Sequence, residues 1–357
     1  MNTYYALGLM SGTSLDGLDI AHCRLTYKNK NWIYNILNST TIEYDRYWID
    51  SLRGAENLSA QALIALDHEF GKYLGEQSKA FISQHNLKPD FISSHGHTIF
   101  HQPSQHISLQ IGNGAYLAAH AQLPVICDFR TMDIALGGQG APLVPIGDEL
   151  LFSEHDSCLN LGGISNISFN KNGRRIAFDI SACNMLLNML ANEAGLSFDH
   201  DGELARVGKL HEKLLEELNA PAYFSDPYPK SIGKEWVLEN ALKTLSAYQV
   251  ISIQDRLHTT CHHIALQIKI ALPLLADKKH RVLITGGGAF NTFLIELIQQ
   301  YLGNMFSVEI PEPEIVSFKE ALVFAFLGAL RWRGEHNSLQ SVTGASRNSI
   351  GGAVYFG

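Results

Sequence analysis

One turn near the N-terminus gathers more chemistry than a turn needs. In "ALGLMSGTSLDGLDIAHCRL" an apolar run meets Gly12, Thr13, Ser14, Leu15, Asp16, Gly17, Leu18 and Asp19 before a second apolar run begins. A Gly-rich turn leaves backbone N–H groups aimed into one concavity, the geometry of a phosphate nest. Ser11, Thr13 and Ser14 add hydroxyl donors, and Asp16 is of the type that holds Mg²⁺ directly or through water. An ordinary tight turn is the competing reading, since Gly and Ser are common turn residues. The Lys of a Walker A loop is missing. The turn also runs into a strand rather than the helix a dinucleotide fingerprint requires. A second cluster, Gly286, Gly287 and Gly288 in "ITGGGAFN", closes at Asn291. Three glycines after a strand let a nucleotide sugar or α-phosphate approach the backbone, where a plain strand-to-helix turn would need one. Together the Gly-rich turns favour a nucleotide held between two domains.

Those turns need elements to carry them. Residues 4–9 and 18–27 read as two strands of a hairpin. The stretch 58–86 has the apolar spacing of a long amphipathic helix. "PDFISSHGHTIFH" reads as a strand running into a polar loop, and "LQIGNGAYLAAHAQLPVICDFR" as loop, helix and buried strand. Residues 133–145 are rich in Gly and Pro without an apolar period, which suggests a domain boundary. "CLNLGGISNISFN" then repeats the strand, Gly turn and strand of the N-terminus, a sign of internal duplication. The stretch 185–275 reads as mainly helical, "ALVFAFLGAL" as part of a buried helix, and the tail as ending in a strand.

Composition narrows the class. The 357 residues suggest about two domains, and 46% hydrophobic against 17% charged residues is globular. A net charge of -8 argues against a nucleic-acid partner. The longest apolar run is too short for a membrane span. Five scattered cysteines without CxxC spacing read as reduced interior residues of a cytoplasmic protein. His95, His97 and His101 have a spacing that zinc can use, but no Cys or acidic partner lies near them in sequence, so sugar hydrogen bonding is the preferred reading.

The blocks "GLMSGTSLDGLDIA", "SSHGHTIFHQP", "LQIGNGAYLA", "DFRTMDIALGGQGAPLVP", "NLGGISNIS", "PYPKSIGKEW", "ITGGGAFN", "EALVFAFLGAL" and "SVTGA" follow one another along nearly the whole chain. The sequence resembles the anhydro-N-acetylmuramic acid kinases of bacterial peptidoglycan recycling. That resemblance implies a two-domain α/β, actin-like (ribonuclease H-like) ATPase fold around a nucleotide cleft. Its domains are expected at 1–138 with about 335–357, on the sugar side, and at 139–334 for the nucleotide. It implies ATP and Mg²⁺ as cofactors and a small amino sugar as substrate, with no nucleic-acid or membrane partner and a homodimer left open. Gly12 through Asp19 match the family's ATP-phosphate turn. Asp179, in "AFDISACN", falls at the position of the catalytic base. Glu320 is a second catalytic position that orients water or interacts with its helix. His95, His97, Arg130 and Asp133 match the sugar side, with Arg130 pairing the lactyl carboxylate. The implied reaction opens the 1,6-anhydro bond with water and phosphorylates O6, giving N-acetylmuramate 6-phosphate.

Three departures stand out. His97 replaces Gln, Ile232 replaces Thr, and Ile180, Ser181, Ala182 and Cys183 replace a Thr-Gly-Pro-Gly turn. A phosphate turn needing positive φ would be strained with Ala or Cys. Either the backbone differs, or the terminal phosphates rely on the 11–17 turn and Mg²⁺. The change also leaves open a catalytically degenerate nucleotide-binding regulatory protein of the same fold.

Overall fold

The computed structural model describes residues 2–273 and 279–357. Two compact units divide the chain, one built from residues up to Leu151 together with Phe318–Gly357 and the other from Phe152–Ser317. No helix among the described residues is long and apolar enough to cross a membrane.

The first unit holds β1 (Asn2–Ser11), β2 (Gly17–Lys28), β3 (Asn31–Glu43), β4 (Phe91–Gln102), β5 (Ile107–Ile111) and β6 (Val125–Cys127). The second holds β7 (Ser157–Leu161), β8 (Ile164–Lys171), β9 (Arg174–Ala182), β10 (His280–Thr285) and β11 (Phe306–Glu309). The final strand, β12 (Ala353–Tyr355), returns to the first sheet beside β6. Sheet order in the first unit is β12-β6-β4-β1-β2-β3, with β5 paired to β4. In the second it is β11-β10-β7-β8-β9. Each sheet opens with an antiparallel meander of three strands, and then adds two strands running parallel to its first. The duplication suggested by two short sequence matches is therefore a duplication of topology. The same mixed α/β sheet is thus present twice, once in each unit.

The sequence reading stopped at two N-terminal strands, but a third, β3, pairs with β2 along its whole length. Only Trp32 of β3 is buried, with its ring edge-on to Phe326, so the strand lacks the apolar run that marks a core strand. The amphipathic stretch forms the helix Ala60–Gln84, capped by the Ser59 hydroxyl on the Ala62 N–H. Phe70, Leu74 and Phe81 on its buried face pack into the core with Leu7, Ile20 and Ile92.

The units meet the chain at other residues than the composition of 133–145 suggested. Asp133 and Gln139 bond to Ser338, Thr343 and the Thr343 carbonyl, which ties this segment to the end of the chain. The helix Pro313–Arg333 breaks its helical dihedrals at Phe318, and the part beyond packs on the first sheet. Gly8 has no room for a Cβ because the Ala321 carbonyl occupies that place, and the Ser93 hydroxyl donates to the Phe324 carbonyl. Residues 318–333 therefore belong with the first unit.

Candidate functional site

In the first unit, the turn between β1 and β2 keeps Thr13, Ser14 and Asp16 exposed. Leu15 sits in the left-handed region at φ 61, and its N–H closes the turn on the Gly12 carbonyl. The Ser14 hydroxyl donates to one Asp16 oxygen at 2.8 Å. Gly17 starts β2 against the Ile42 carbonyl, where a Cβ would stand 2.5 Å away. Leu18 is core. Asp19 accepts from the Thr41 hydroxyl. Burial raises its carboxyl, the Thr41 bond opposes that, and the Asp16 charge adds to it. Ser11 departs from its expected donor role. It is buried, paired with His97 Nδ1 at 2.8 Å and accepting from the Tyr44 hydroxyl at 2.7 Å.

Glu320 opens the packed part of its helix and is accessible to water. Desolvation by surrounding protein nevertheless leads the causes that raise its carboxyl; Lys319 and Arg130 oppose it, and Asp19 and Asp16 add repulsion. Lys319 is itself buried in an ion pair with Asp148 at 2.7 Å. The Asp16 charge therefore acts on both Asp19 and Glu320, but among the described residues no three His, Cys, Asp or Glu side chains form a metal-holding cluster.

Arg130 is held rather than free. Its guanidinium donates to His95 Nε2 at 2.8 and 3.2 Å and to the Gly140 carbonyl at 2.7 Å. The His95 Nδ1 faces the Gly96 carbonyl at 3.0 Å, so that nitrogen carries the proton and Nε2 accepts. Burial, then the Arg130 charge, hold His95 well below its ordinary value, which keeps the ring neutral. Burial brings Arg130 down to about 10, with Glu320 and Asp133 opposing. His97 is pushed down to about 4 by burial. Its ring lies edge-on to Phe70 and serves the Ser11–Tyr44 chain. His101 bonds Ser108 instead; the expected polar loop is strand, since β4 runs on through Gln102, and its three histidines take separate partners.

Asp133 takes a different task from the sugar contact expected of it. It is fully buried. One oxygen accepts from the Gly140 N–H, and the other from the Ser338 and Thr343 hydroxyls, each at 2.8 Å. Gly138 has no room for a Cβ because Asp133 fills it. The carboxylate shapes the loop that presents Arg130.

In the second unit, Asp179 lies on β9 opposite Asn166, next to a register shift in the pairing with β8. Its N–H donates to the Lys230 carbonyl at 3.2 Å, and its carbonyl accepts the Tyr223 hydroxyl. One carboxylate oxygen accepts the Ile232 N–H at 3.1 Å. Burial pushes the carboxyl up to about 6, and the Ile232 bond holds it from rising further. A half-buried carboxyl near 6 is poised as a general base close to neutral pH.

The two departures beside it are absorbed by local structure. Position 232 works through its backbone N–H, while the Ile232 side chain packs in the core. The 180–183 stretch is not a Gly turn. β9 continues through Ala182 with all four side chains buried, and none of these residues has positive φ. The Cys183 and Met185 amides bond the Gly163 carbonyl and that of Asn184 bonds Gly162, seating the helix Asn184–Glu193 on the β7–β8 turn. The strain that motivated a degenerate protein is absent from this backbone.

The glycine cluster after β10 is mostly consumed by the protein itself. A Cβ on Gly286, at φ +82, would stand 2.5 Å from Asn160 Oδ1, and one on Gly288 would stand 2.7 Å from the Leu161 Cβ. Gly287 alone leaves space, its nearest neighbour being Asn184 Nδ2 at 3.5 Å. Asn291 caps the helix Thr292–Leu302, accepting from the Leu294 N–H. The functional role expected of it is thus filled by a capping one. What the sequence reading missed is the segment 223–232 that wraps Asp179; the "PYPKSIGKEW" block that overlaps its end was the available signal.

A model of the anhydro-N-acetylmuramic acid kinase family matches residues 4–357. The chain is 32% identical to the anhydro-N-acetylmuramic acid kinase of Francisella tularensis subsp. novicida (strain U112), covering 99% of this chain and 98% of that protein. It is 34% identical to that of Aliivibrio fischeri (strain ATCC 700601 / ES114), covering 98% of each. Among solved structures it is similar to component A of the (R)-2-hydroxyglutaryl-CoA dehydratase of Acidaminococcus fermentans, at TM-score 0.45 and 13% identity over 89% of this chain and 95% of that one. It is also similar to the ROK hexokinase of Thermus thermophilus, at TM-score 0.39 and 11% identity over 92% of this chain and 100% of that one.

Proposed function

The chain belongs to the anhydro-N-acetylmuramic acid kinase family and is a carbohydrate kinase, and from that premise we propose that it opens the 1,6-anhydro bond of 1,6-anhydro-N-acetylmuramic acid and phosphorylates the released O6. The observation that carries this reading is Asp179, a carboxyl raised to about 6 with one oxygen fixed by the Ile232 N–H. In the proposed step Asp179 accepts a proton from water as the water oxygen bonds to C1. The C1–O6 bond breaks, and O6 takes the γ-phosphoryl group of ATP as its bond to ADP breaks. Atoms balance as sugar plus water plus ATP giving N-acetylmuramate 6-phosphate plus ADP and a proton. Such a product suits peptidoglycan recycling in the cytoplasm.

The remaining roles are assigned on the same reading. Gly12, Thr13, Ser14, Leu15, Gly17 and Leu18 form the phosphate-side turn, with Gly287 as the open glycine of the second unit. Asp16, exposed on that turn, would be the protein's cation ligand, with the remaining ligands from phosphate and water. Mg²⁺ there supplies charge neutralisation to the phosphates. Arg130, aimed by neutral His95, takes the lactyl carboxylate of the sugar. Incubation with MgATP and 1,6-anhydro-N-acetylmuramate, followed by mass analysis, tests the reading. A product heavier by one water and one phosphoryl group is expected; a product heavier by the phosphoryl group alone would overturn the ring-opening step.

A further inference from the structure

Lys230 belongs to a Gly- and Pro-containing block, and a lysine in a kinase motif invites assignment to phosphate. The structure gives its ammonium other partners. Nζ donates to the Tyr223 carbonyl at 2.8 Å and lies 3.3 Å from the Phe224 carbonyl. It also stands 4.6 Å from the centre of the Tyr223 ring and 5.9 Å from that of Phe178. The strap from 223 to 232 is therefore closed on itself by one side chain. Three bonds then join the closed strap to a single residue: Tyr223 hydroxyl to the Asp179 carbonyl, Asp179 N–H to the Lys230 carbonyl, and Ile232 N–H to the Asp179 carboxylate.

We infer that Lys230 is a positioning residue, a staple whose ammonium closes the 223–232 strap and so keeps the Ile232 N–H on one oxygen of Asp179. This rests on the reading of Asp179 as the base. The staple leaves the second oxygen to water and fixes the plane of the carboxylate. Its energetic reach is local: ammonium-to-carbonyl bonds and a cation over an aromatic face both strengthen when partly desolvated. That is enough to hold a short loop in one conformation. The ionisable groups set against the strap include Tyr223, Asp226, Tyr228 and Lys230 of the strap itself, Lys171 of β8 and His263, whose ring lies edge-on to Phe224 and which burial holds below its ordinary value. Asp226 acts on Lys230 and Tyr223, and Lys171 bonds the Tyr228 hydroxyl. Burial lowers Lys230 and the Asp226 charge opposes it. The Ile232 bond is the one contribution that pulls the Asp179 carboxyl down, so losing it raises the carboxyl further.

The test is the pH profile of kcat/KM for Lys230→Met beside Lys230→Arg, with KM for ATP measured on both. The staple predicts that the acid limb moves to higher pH by about half a unit or more in Lys230→Met. KM for ATP stays within about twofold. Arg, which can reach the same carbonyls, returns the limb to its native place. Should Lys230→Met fail to fold, Tyr223→Phe removes the strap's hydroxyl while keeping the ring, and the same upward movement is expected of it. An acid limb that stays put overturns the staple. So does a rise of about tenfold or more in KM for ATP with an unmoved limb, since the ammonium would then serve the nucleotide. Asp179→Asn separates the two inferences. If that variant turns over normally the base reading fails, whatever Lys230 does; if it is inactive and the Lys230→Met profile is unchanged, only the staple fails.

Discussion

Two aspartates, one in each unit, were both assigned to the site from sequence, and the structure treats them in opposite ways. Asp133 is sealed from water with both oxygens engaged by Gly140, Ser338 and Thr343. Asp179 is half-buried, has one oxygen engaged by a single N–H, and stands near 6. A carboxylate whose acceptor capacity is filled by its own chain holds structure together. One that is desolvated and only partly satisfied has free energy left for chemistry. The contrast predicts that the first should fail by unfolding and the second by inactivity.

The largest effect is expected from Asp179→Asn. Asparagine keeps the shape and can still accept from Ile232, but it takes no proton at neutral pH. Turnover should fall by about 10²–10⁴-fold with the fold intact, as general-base contributions run; a coupled assay beside a thermal melt reads both. Near-normal turnover would move the base to Glu320. Next in size, Asp133→Ala strands two hydroxyls and one N–H in a buried loop. Such losses cost about 3–5 kcal/mol together, which denaturant unfolding should show. A stable Asp133→Ala that binds sugar poorly would restore Asp133 to the substrate.

How much of this contrast could be read beforehand depends on distance along the chain. Strand, Gly turn and strand are local patterns, and both hairpins were legible. So was Asp179 on its strand, because a short motif surrounds it. The two hydroxyl partners of Asp133 lie 205 and 210 residues away, and only the Gly140 N–H is local, so little near it in sequence announces that both its oxygens are used. β3 was invisible because only Trp32 along it is buried. The glycines after β10 stood out for a nucleotide, but two of them are required by the protein's own packing against the Asn160 side chain and Leu161. The replaced 180–183 turn looked damaging on the assumption of positive φ, whereas the strand runs on through Ala182.

Smaller effects sharpen the picture. Gly286→Ala and Gly288→Ala force a Cβ to within 2.5–2.7 Å of neighbouring atoms and should each cost about 1–3 kcal/mol. Gly287→Ala meets ordinary contact at 3.5 Å, so its melting temperature should stay put while KM for ATP rises. An unchanged KM there would remove this turn from the nucleotide site. The smallest effect concerns stability against pH. A carboxyl near 6 when folded, against an ordinary 3.8, binds more protons folded than unfolded between those values. Its contribution is fully present below the lower value and is lost as pH rises through the higher. Asp179→Asn escapes that loss, so it should be more stable than the native chain at pH 8 by about 1–2 kcal/mol. At pH 4 the difference should shrink.

The central claim, that Asp179 is held ready to take a proton near neutrality, is tested most directly by titrating its carboxyl carbon by NMR in protein labelled at aspartate, with Asp179→Asn assigning the signal. The account predicts a midpoint near 6 for that one resonance. A midpoint at or below the ordinary aspartate value would contradict it.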